Sequence, residues 1–406
     1  MFQKTLARFK GLRPPVRSLV FLFWIFTFTG SVTGIFTQIF LYERFTSVFF
    51  NVVASMLFNT GTMVGFCVFG YLASRWRRNI KQGFAASFVV MTLGFIVLIS
   101  GTSMIAACIA MTFLGIGNGL FWLTVHTFEL SQTKDEERDF YSSLLSAGSQ
   151  VFSFLGPALA TLLIWISGMV FHIGNLTLLF IITPVFYLLG FFCFSALADY
   201  RPAPIRLADL WHFLSNRKNQ IAQIYLSGGA FHDILQNIVP SLVVLFILGS
   251  ALNVGIFSTL LGLFSAVCVL MVAHHRTSEN RLLIFGIMTL IMVLTTVWFG
   301  AVFTFIALVV YTIIESIVAP LLRVSIHVTD LKTMESMGRE NSDFYATMIL
   351  RDLSLWFWRM LIGVIFLGII TLLHSEKEML VAGLYLLAFS SALTFIGARL
   401  LLKTNL

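Results

Sequence analysis

Residues 18–40 read SLVFLFWIFTFTGSVTGIFTQIF, a run without one charged side chain. A helix rises about 1.5 Å per residue, so roughly 20 such residues cross the hydrocarbon core of a bilayer. The basic segment MFQKTLARFKGLRPPVR precedes the run. A cleaved signal has an apolar core of roughly 7–15 residues, so this longer run reads as a first spanning helix that is retained. Working outward, further apolar runs follow at 48–73, 83–100, 103–130, 143–166, 172–198, 221–247, 251–273, 281–300, 302–327, 346–372 and 379–402. The expected fold class is an all-α membrane protein with twelve transmembrane helices.

Composition requires the same solvent. The 406 residues are 58% hydrophobic and 11% charged, with 43 Phe. A soluble domain carries about 25% charged residues, so water cannot cover this chain and lipid must. The net charge of +8 does not point to nucleic acid, because the basic residues lie between apolar runs, where they set topology. With the N-terminus inside, the outer loops hold only Arg44 and Lys377, and Arg351 and Arg359 fall within the eleventh run. The other Lys and Arg gather at the inner face. This places both termini in the cytoplasm and the chain, multi-pass, in the cytoplasmic (inner) membrane. Cys67, Cys108, Cys193 and Cys268 all sit in apolar runs without a CxxC pair, so they read as packing residues.

The longest loop, 199–220, divides the runs six and six. The expected organisation is an N-terminal bundle at 1–198, a cytoplasmic linker at 199–220 and a C-terminal bundle at 221–406. Leu207, Leu210, Trp211 and Leu214 of the linker share one helical face, as an interfacial helix would. Two short segments repeat. His126, Glu129 and Leu130 at the end of the fourth run match His327, Asp330 and Leu331 at the end of the tenth, and Asp139-Phe140-Tyr141 matches Asp343-Phe344-Tyr345 a few residues later. Repeats that run in the same direction mark transporters built from two parallel halves.

The segment after the second run reads Gly70-Tyr71-Leu72-Ala73-Ser74-Arg75-Trp76-Arg77-Arg78. It resembles the Gly-x-Leu-Ala-Asp-Arg-x-Gly-Arg-Arg signature of the major facilitator superfamily, and the layout resembles that family over essentially the whole chain. Ser74 stands where the family has an acid that helps latch the cytoplasmic gate, and Arg77 stands where it has a second glycine. Arg351 and Asp352 are placed to supply a substitute latch. Met111 of Met111-Thr112-Phe113-Leu114-Gly115 takes the place of an arginine linked to proton transfer. Gly156-Pro157 is similar to the centre of an antiporter motif, with Phe152 and Ala160 where glycines are expected. The resemblance implies alternating access, with helices 1, 4, 7 and 10 lining the cavity.

Polar residues on those helices are the candidate substrate or proton groups. Helix 1 offers Thr29, Thr33 and Thr37 beside Gly30, Gly34 and Gln38, which suits a cavity wall or a tight helix contact equally. Helix 4 offers Asn118 and Trp122. Near its inner end His126 and Glu129, at i and i+3, can pair, either to carry a proton or to brace a gate. Helix 7 carries His232, Asp233, Gln236 and Asn237, with Asp233 near mid-membrane. A charge there costs roughly 2.5–3.5 kcal/mol on insertion scales and is retained for a reason; desolvation at that depth favours its protonated form. Helix 10 adds Tyr311 and Glu315. Helix 11 adds Arg351, Asp352, Trp356 and Arg359, the last at a depth similar to Glu315. Arg359 is suited to pair with Glu315 or to hold an anionic substrate through its two-pronged guanidinium. Gate residues are expected at Gly70, Arg75, Arg78, His126, Glu129, His327, Asp330, Arg351 and Asp352.

No enzyme motif is present. The chain lacks a Gly-x-x-x-x-Gly-Lys-Ser/Thr loop and an HExxH pattern, and His274-His275 lies in a basic loop. No cofactor or metal is expected. The expected function is secondary active transport of a small solute, proton-coupled, with export as one direction. The alternatives are an amphiphile exporter or lipid flippase on the same scaffold, and a membrane sensor that transports nothing. The expected partners are a small-molecule substrate, a proton or other coupling ion and membrane lipid, with no nucleic acid, for a chain that works as a monomer.

Overall fold

The computed structural model describes residues 9–132, 135–170, 176–191, 193–194, 197–205, 217–272, 281–319, 322, 326 and 344–403. Each apolar run forms a helix. They are α1 (Pro14–Phe45), α2 (Val48–Arg75), α3 (Gln82–Ser100), α4 (Met104–Gln132), α5 (Asp135–Met169) and α6 (Thr177–Phe191), then α7 (Arg217–Leu248), α8 (Ala251–Val272), α9 (Arg281–Val302), α10 (Phe305–Ala319), α11 (Phe344–Ile370) and α12 (Glu376–Lys403). Ten are long and apolar enough to cross a membrane, while α6 and α10 are shorter apolar helices. No strand occurs among the described residues. Helices satisfy every backbone group internally, which hydrocarbon demands.

α5 starts at Asp135, earlier than the apolar run at 143. Its opening Asp135-Glu136-Glu137 suits a helix N-terminus electrostatically, and hydropathy does not register this. The linker face of Leu207, Leu210, Trp211 and Leu214 and the second repeat segment at 327–343 lie outside the described residues.

The chain divides into two compact units. The first comprises Met1–Thr33 with Thr60–Pro204, and the second Gly34–Asn59 with Ile205–Leu406. In the first unit α3 packs on α4 and α6. The closest approach there is α2 against α4. A Cβ on Gly61 would lie 2.3 Å from the Thr112 carbonyl oxygen, and one on Gly119 would lie 2.1 Å from that of Thr62. Without a hydrophobic drive between helices in lipid, small residues that admit backbone contact hold them together. A π-turn at Val64–Val68 interrupts α2 within this contact.

In the second unit α7 packs on α11 and α12, and α9 on α12. Phe231, Ile234 and Ile238 of α7 meet Phe299, Ile362 and Phe366. Val48 and Val52 join the same core, so the end of α1 and the start of α2 belong to this unit. Inside that hairpin the Asn51 amide donates to the carbonyl oxygen of Gln38 at 2.8 Å, and Gln38 donates to Ser55 at 3.0 Å. The Tyr42 hydroxyl donates to the Glu376 carboxylate at the start of α12.

α2 ends in a left-handed cap. The Arg77 N–H donates to the Ser74 carbonyl oxygen at 3.3 Å, and the Arg78 N–H to that of Ala73 at 2.9 Å. Arg77 itself has φ +49°. This arrangement usually takes glycine at that position, and a side chain there costs roughly 1–2 kcal/mol.

Gly119→Ala is expected to lower the melting temperature of the detergent-purified protein, by the equivalent of about 1–3 kcal/mol as for other overpacked cores. Gly30, whose Cβ would meet nothing within 4 Å, serves as the control. Gly30→Ala is expected to leave the temperature unchanged or raise it through helix propensity. Equal responses in thermal melts would contradict the packing described.

Candidate functional site

The deep charges meet in the second unit. Asp233 lies near the middle of α7 and Arg359 near the middle of α11, and the Arg359 Nη2 donates to the Asp233 Oδ2 at 2.7 Å. The Arg359 side chain is 13% exposed and that of Asp233 49%. The pair is therefore closed on the arginine side and open on the acid side. Arg359 does not use Glu315 as this partner, so the pairing that equal depth suggested is replaced by one across α7 and α11. A second carboxylate, the buried Asp352, lies close enough on α11 to act on Arg359 as well. The Arg359 Nε is buried and has no hydrogen-bond partner. The guanidinium thus bonds Asp233 through Nη2 while its Nε–H has no acceptor.

Neighbouring polar contacts fix the two helices. The Trp358 indole N–H donates to the Gln223 Oε1 at 3.0 Å, and the Gln223 amide donates to the Ser354 hydroxyl at 3.3 Å. Neither Gln223 nor Trp358 was singled out in the sequence. A glutamine on α7 and a tryptophan next to the deep arginine were the signal available. Asn237, four residues after Asp233, is exposed like it, while His232 and Gln236 are partly buried. Arg351 is partly buried beside Asp352.

Glu315 lines a separate cavity of about 210 Å³ within the same unit, with Gln236, Ser241, Tyr311 and Thr312 among its polar walls and Ile35, Phe257 and Leu384 among its apolar ones. Tyr311 is buried and stacks on Phe299 with centroids 5.0 Å apart. Asp233 and Glu315 therefore serve different places in this unit.

The first unit holds aromatic and neutral polar groups. Trp122 stacks on His126 at 5.3 Å, and the His126 Nδ1 lies 3.3 Å from the Glu129 Oε2. Tyr141, outside the spanning part of α5, joins this cluster; burial, and then the charge of Glu129, push its hydroxyl well above the usual value. Asn118 donates to the Thr62 hydroxyl at 3.2 Å, which ties it to α2. Thr29 and Thr33 are buried and donate to the carbonyl oxygens of Ile25 and Thr29 one turn back. Further along α1, Thr37 and Gln38, which belong to the second unit, are buried as well, whereas Gly30 and Gly34 are exposed. The threonine face of α1 is thus packed and the glycine face open.

Gly70 is buried, while Arg75 and Arg78 are exposed. Ser74 is buried and donates to the Tyr71 carbonyl oxygen at 2.8 Å. The loop beyond is tied to the start of the linker. The Lys81 Nζ lies 2.5 Å from the Asp199 Oδ1, and the Ile80 N–H donates to the Tyr200 carbonyl oxygen at 3.0 Å. The Lys81 hydrogen bond holds the Asp199 carboxyl below its usual range. His327 and Asp330 lie outside the described residues. Among the described residues no group of three His, Cys, Asp or Glu is placed to hold a metal.

A family model described as Major Facilitator Superfamily matches residues 19–329. The crystal structure of the human organic anion transporter MFSD10 (TETRAN) matches 96% of this chain and 99% of its own, with a TM-score of 0.64 at 13% identity. At that identity the likeness concerns the fold. No curated protein matches the chain by sequence.

Removing one partner of a buried ion pair costs about 3–5 kcal/mol. Half of Asp233 is exposed, so Asp233→Asn is expected to cost about 1–2 kcal/mol. Arg359→Gln is expected to destabilise as well, and the double variant to cost less than the sum of the two. Thermal melts of the four proteins measure this coupling; strictly additive losses would show that the two groups do not act as a pair.

Proposed function

The chain belongs to the major facilitator superfamily and is a multi-pass membrane transporter, and on that premise we propose that it is a secondary transporter of a small organic solute bearing an anionic group, moved by alternating access and coupled to protons. The observation that carries this reading is the half-satisfied guanidinium of Arg359, held by Asp233 through one prong while its Nε–H stays buried without an acceptor. A carboxylate or phosphate fits that two-pronged donor better than one Asp233 oxygen does. When a solute anion takes Arg359, Asp233 loses its counter-charge and takes a proton; when Asp233 is protonated, Arg359 is released. Solute and proton then occupy the same unit together, the condition for symport. Asn237, four residues after Asp233 on α7, and Trp356, three before Arg359 on α11, belong to this exchange, and His126 with Glu129 braces the first half.

In this reading the termini face the cytoplasm and the chain sits in the cytoplasmic membrane. Arg44 and Lys377, the two outer cations, each lie over a phenylalanine ring, Phe40 at 5.4 Å and Phe303 at 5.6 Å. Residues 1–198 and 221–406, joined by 199–220, act as the two moving halves, with residues 34–59 moving with the second, whose core they share. A second reading, export of an amphiphile, draws on the mainly apolar cavity beside Glu315. It expects movement of labelled lipid across the bilayer, to which Asp233→Asn makes no difference.

Proteoliposomes holding a trapped pH dye test the first reading. Short organic carboxylates and organophosphates are added outside one at a time. A transported anion is expected to acidify the lumen, and Asp233→Asn and Arg359→Gln to reduce that acidification by about tenfold or more, the effect of losing one contact worth 1.4 kcal/mol. Acidification undiminished in both variants would remove Asp233 and Arg359 from the mechanism.

A further inference from the structure

α2 closes with four consecutive exposed side chains, Arg75, Trp76, Arg77 and Arg78. Trp76 is 64% exposed. The ion pairs Lys81–Asp199, His126–Glu129 and Arg359–Asp233 do not engage these three arginines. Ser74, at the position where an acid would offer them a counter-charge, is buried and turned back onto its own helix. Three exposed arginines therefore flank an exposed tryptophan along the chain, at the end of a helix long and apolar enough to span a membrane.

Arg77 adds a second, independent observation. Its φ of +49° belongs to the cap that ends α2, and glycine would adopt it without strain. The helix ends the same way whichever residue is there, so the cap does not require the arginine. What the arginine adds is a third outward charge. Tryptophan settles at the headgroup level of a bilayer, where its ring is apolar and its N–H is wet. Arginine binds phosphate oxygens in two-pronged fashion, and basic residues just beyond a spanning helix are attracted to anionic lipid.

We propose that Arg75, Arg77 and Arg78, with Trp76, form a binding surface for an anionic phospholipid, with the phosphodiester on the guanidinium groups and the indole beside the glycerol region. Charge complementarity and the position at a helix end select the lipid. The orientation proposed above assigns it to the cytoplasmic leaflet, but the surface itself does not depend on the transport reading.

The full chain in phosphatidylcholine nanodiscs provides the test, because both leaflets then present the same lipid. Brominated phosphatidylglycerol or brominated phosphatidylcholine is introduced at one mole fraction, and the Trp76 signal is taken as wild type minus Trp76→Phe. Stronger quenching by the anionic phosphatidylglycerol is expected, falling as salt is added. Arg77→Gly is expected to keep or raise the melting temperature while losing about fivefold of the preference for the anionic lipid. Arg75→Gln, Arg77→Gln and Arg78→Gln together are expected to abolish the preference. Equal quenching by the two lipids, or a preference that survives both the glycine variant and the triple variant, would overturn the proposal.

Discussion

A guanidinium cannot shed its proton inside a membrane, so Arg359 commits the second half of the molecule to supplying it with negative charge. Asp233 does so from α7 at 2.7 Å, with Asp352 behind on α11. The rest of that half is arranged around this need. Gln223, Ser354 and Trp358 bond across the same two helices, and the core of Phe231, Ile362 and Phe366 closes beside them. A pair with one closed side and one exposed side can be opened by a competing charge, which a fully enclosed pair would resist. That asymmetry makes the pair a credible moving part as well as a brace.

The two halves divide the chemistry. In the first, polar groups are largely absorbed locally. Thr29 and Thr33 bond to their own helix, Asn118 bonds to Thr62, and the indole of Trp122 covers His126. These contacts fix helices at close range, as small and weakly polar residues do in lipid. In the second half the charges sit where helices of different sequence distance meet, and the cavity beside Glu315 is separate from the Arg359 pair. Met111 and Ser74 stand where the resembled motifs carry charged residues, so the first half is poorer in deep charge than the second.

The helices and their apolar character were legible because lipid solvation leaves a coarse, local signal: length, hydropathy and the position of Lys and Arg. The His126–Glu129 contact was legible for the same reason, since i, i+3 spacing on one helix determines who can meet. The partner of Arg359 was not. Glu315 and Asp233 lie at similar depth, and only the packing of α7 against α11 selects between them. The grouping of Gly34–Asn59 with the second unit was equally hidden, because α1 and α2 run through it without a break in hydropathy. The left-handed cap at Arg77 has an explanation in retrospect: the resembled signature carries glycine there, a residue that adopts positive φ without strain, and Arg77 takes φ +49° in its place.

The exchange between a proton on Asp233 and an anion on Arg359 is open to direct observation by infrared difference spectroscopy on the purified protein, with aspartate carboxyls isotope-labelled. Spectra are recorded before and after saturation with an anion that acidifies the proteoliposome lumen. A protonated-carboxyl band should grow on binding in the wild type and be missing in Asp233→Asn. If the anion binds and no carboxyl takes up a proton, or if the same band grows in Asp233→Asn, the ion pair is a structural brace and coupling lies elsewhere.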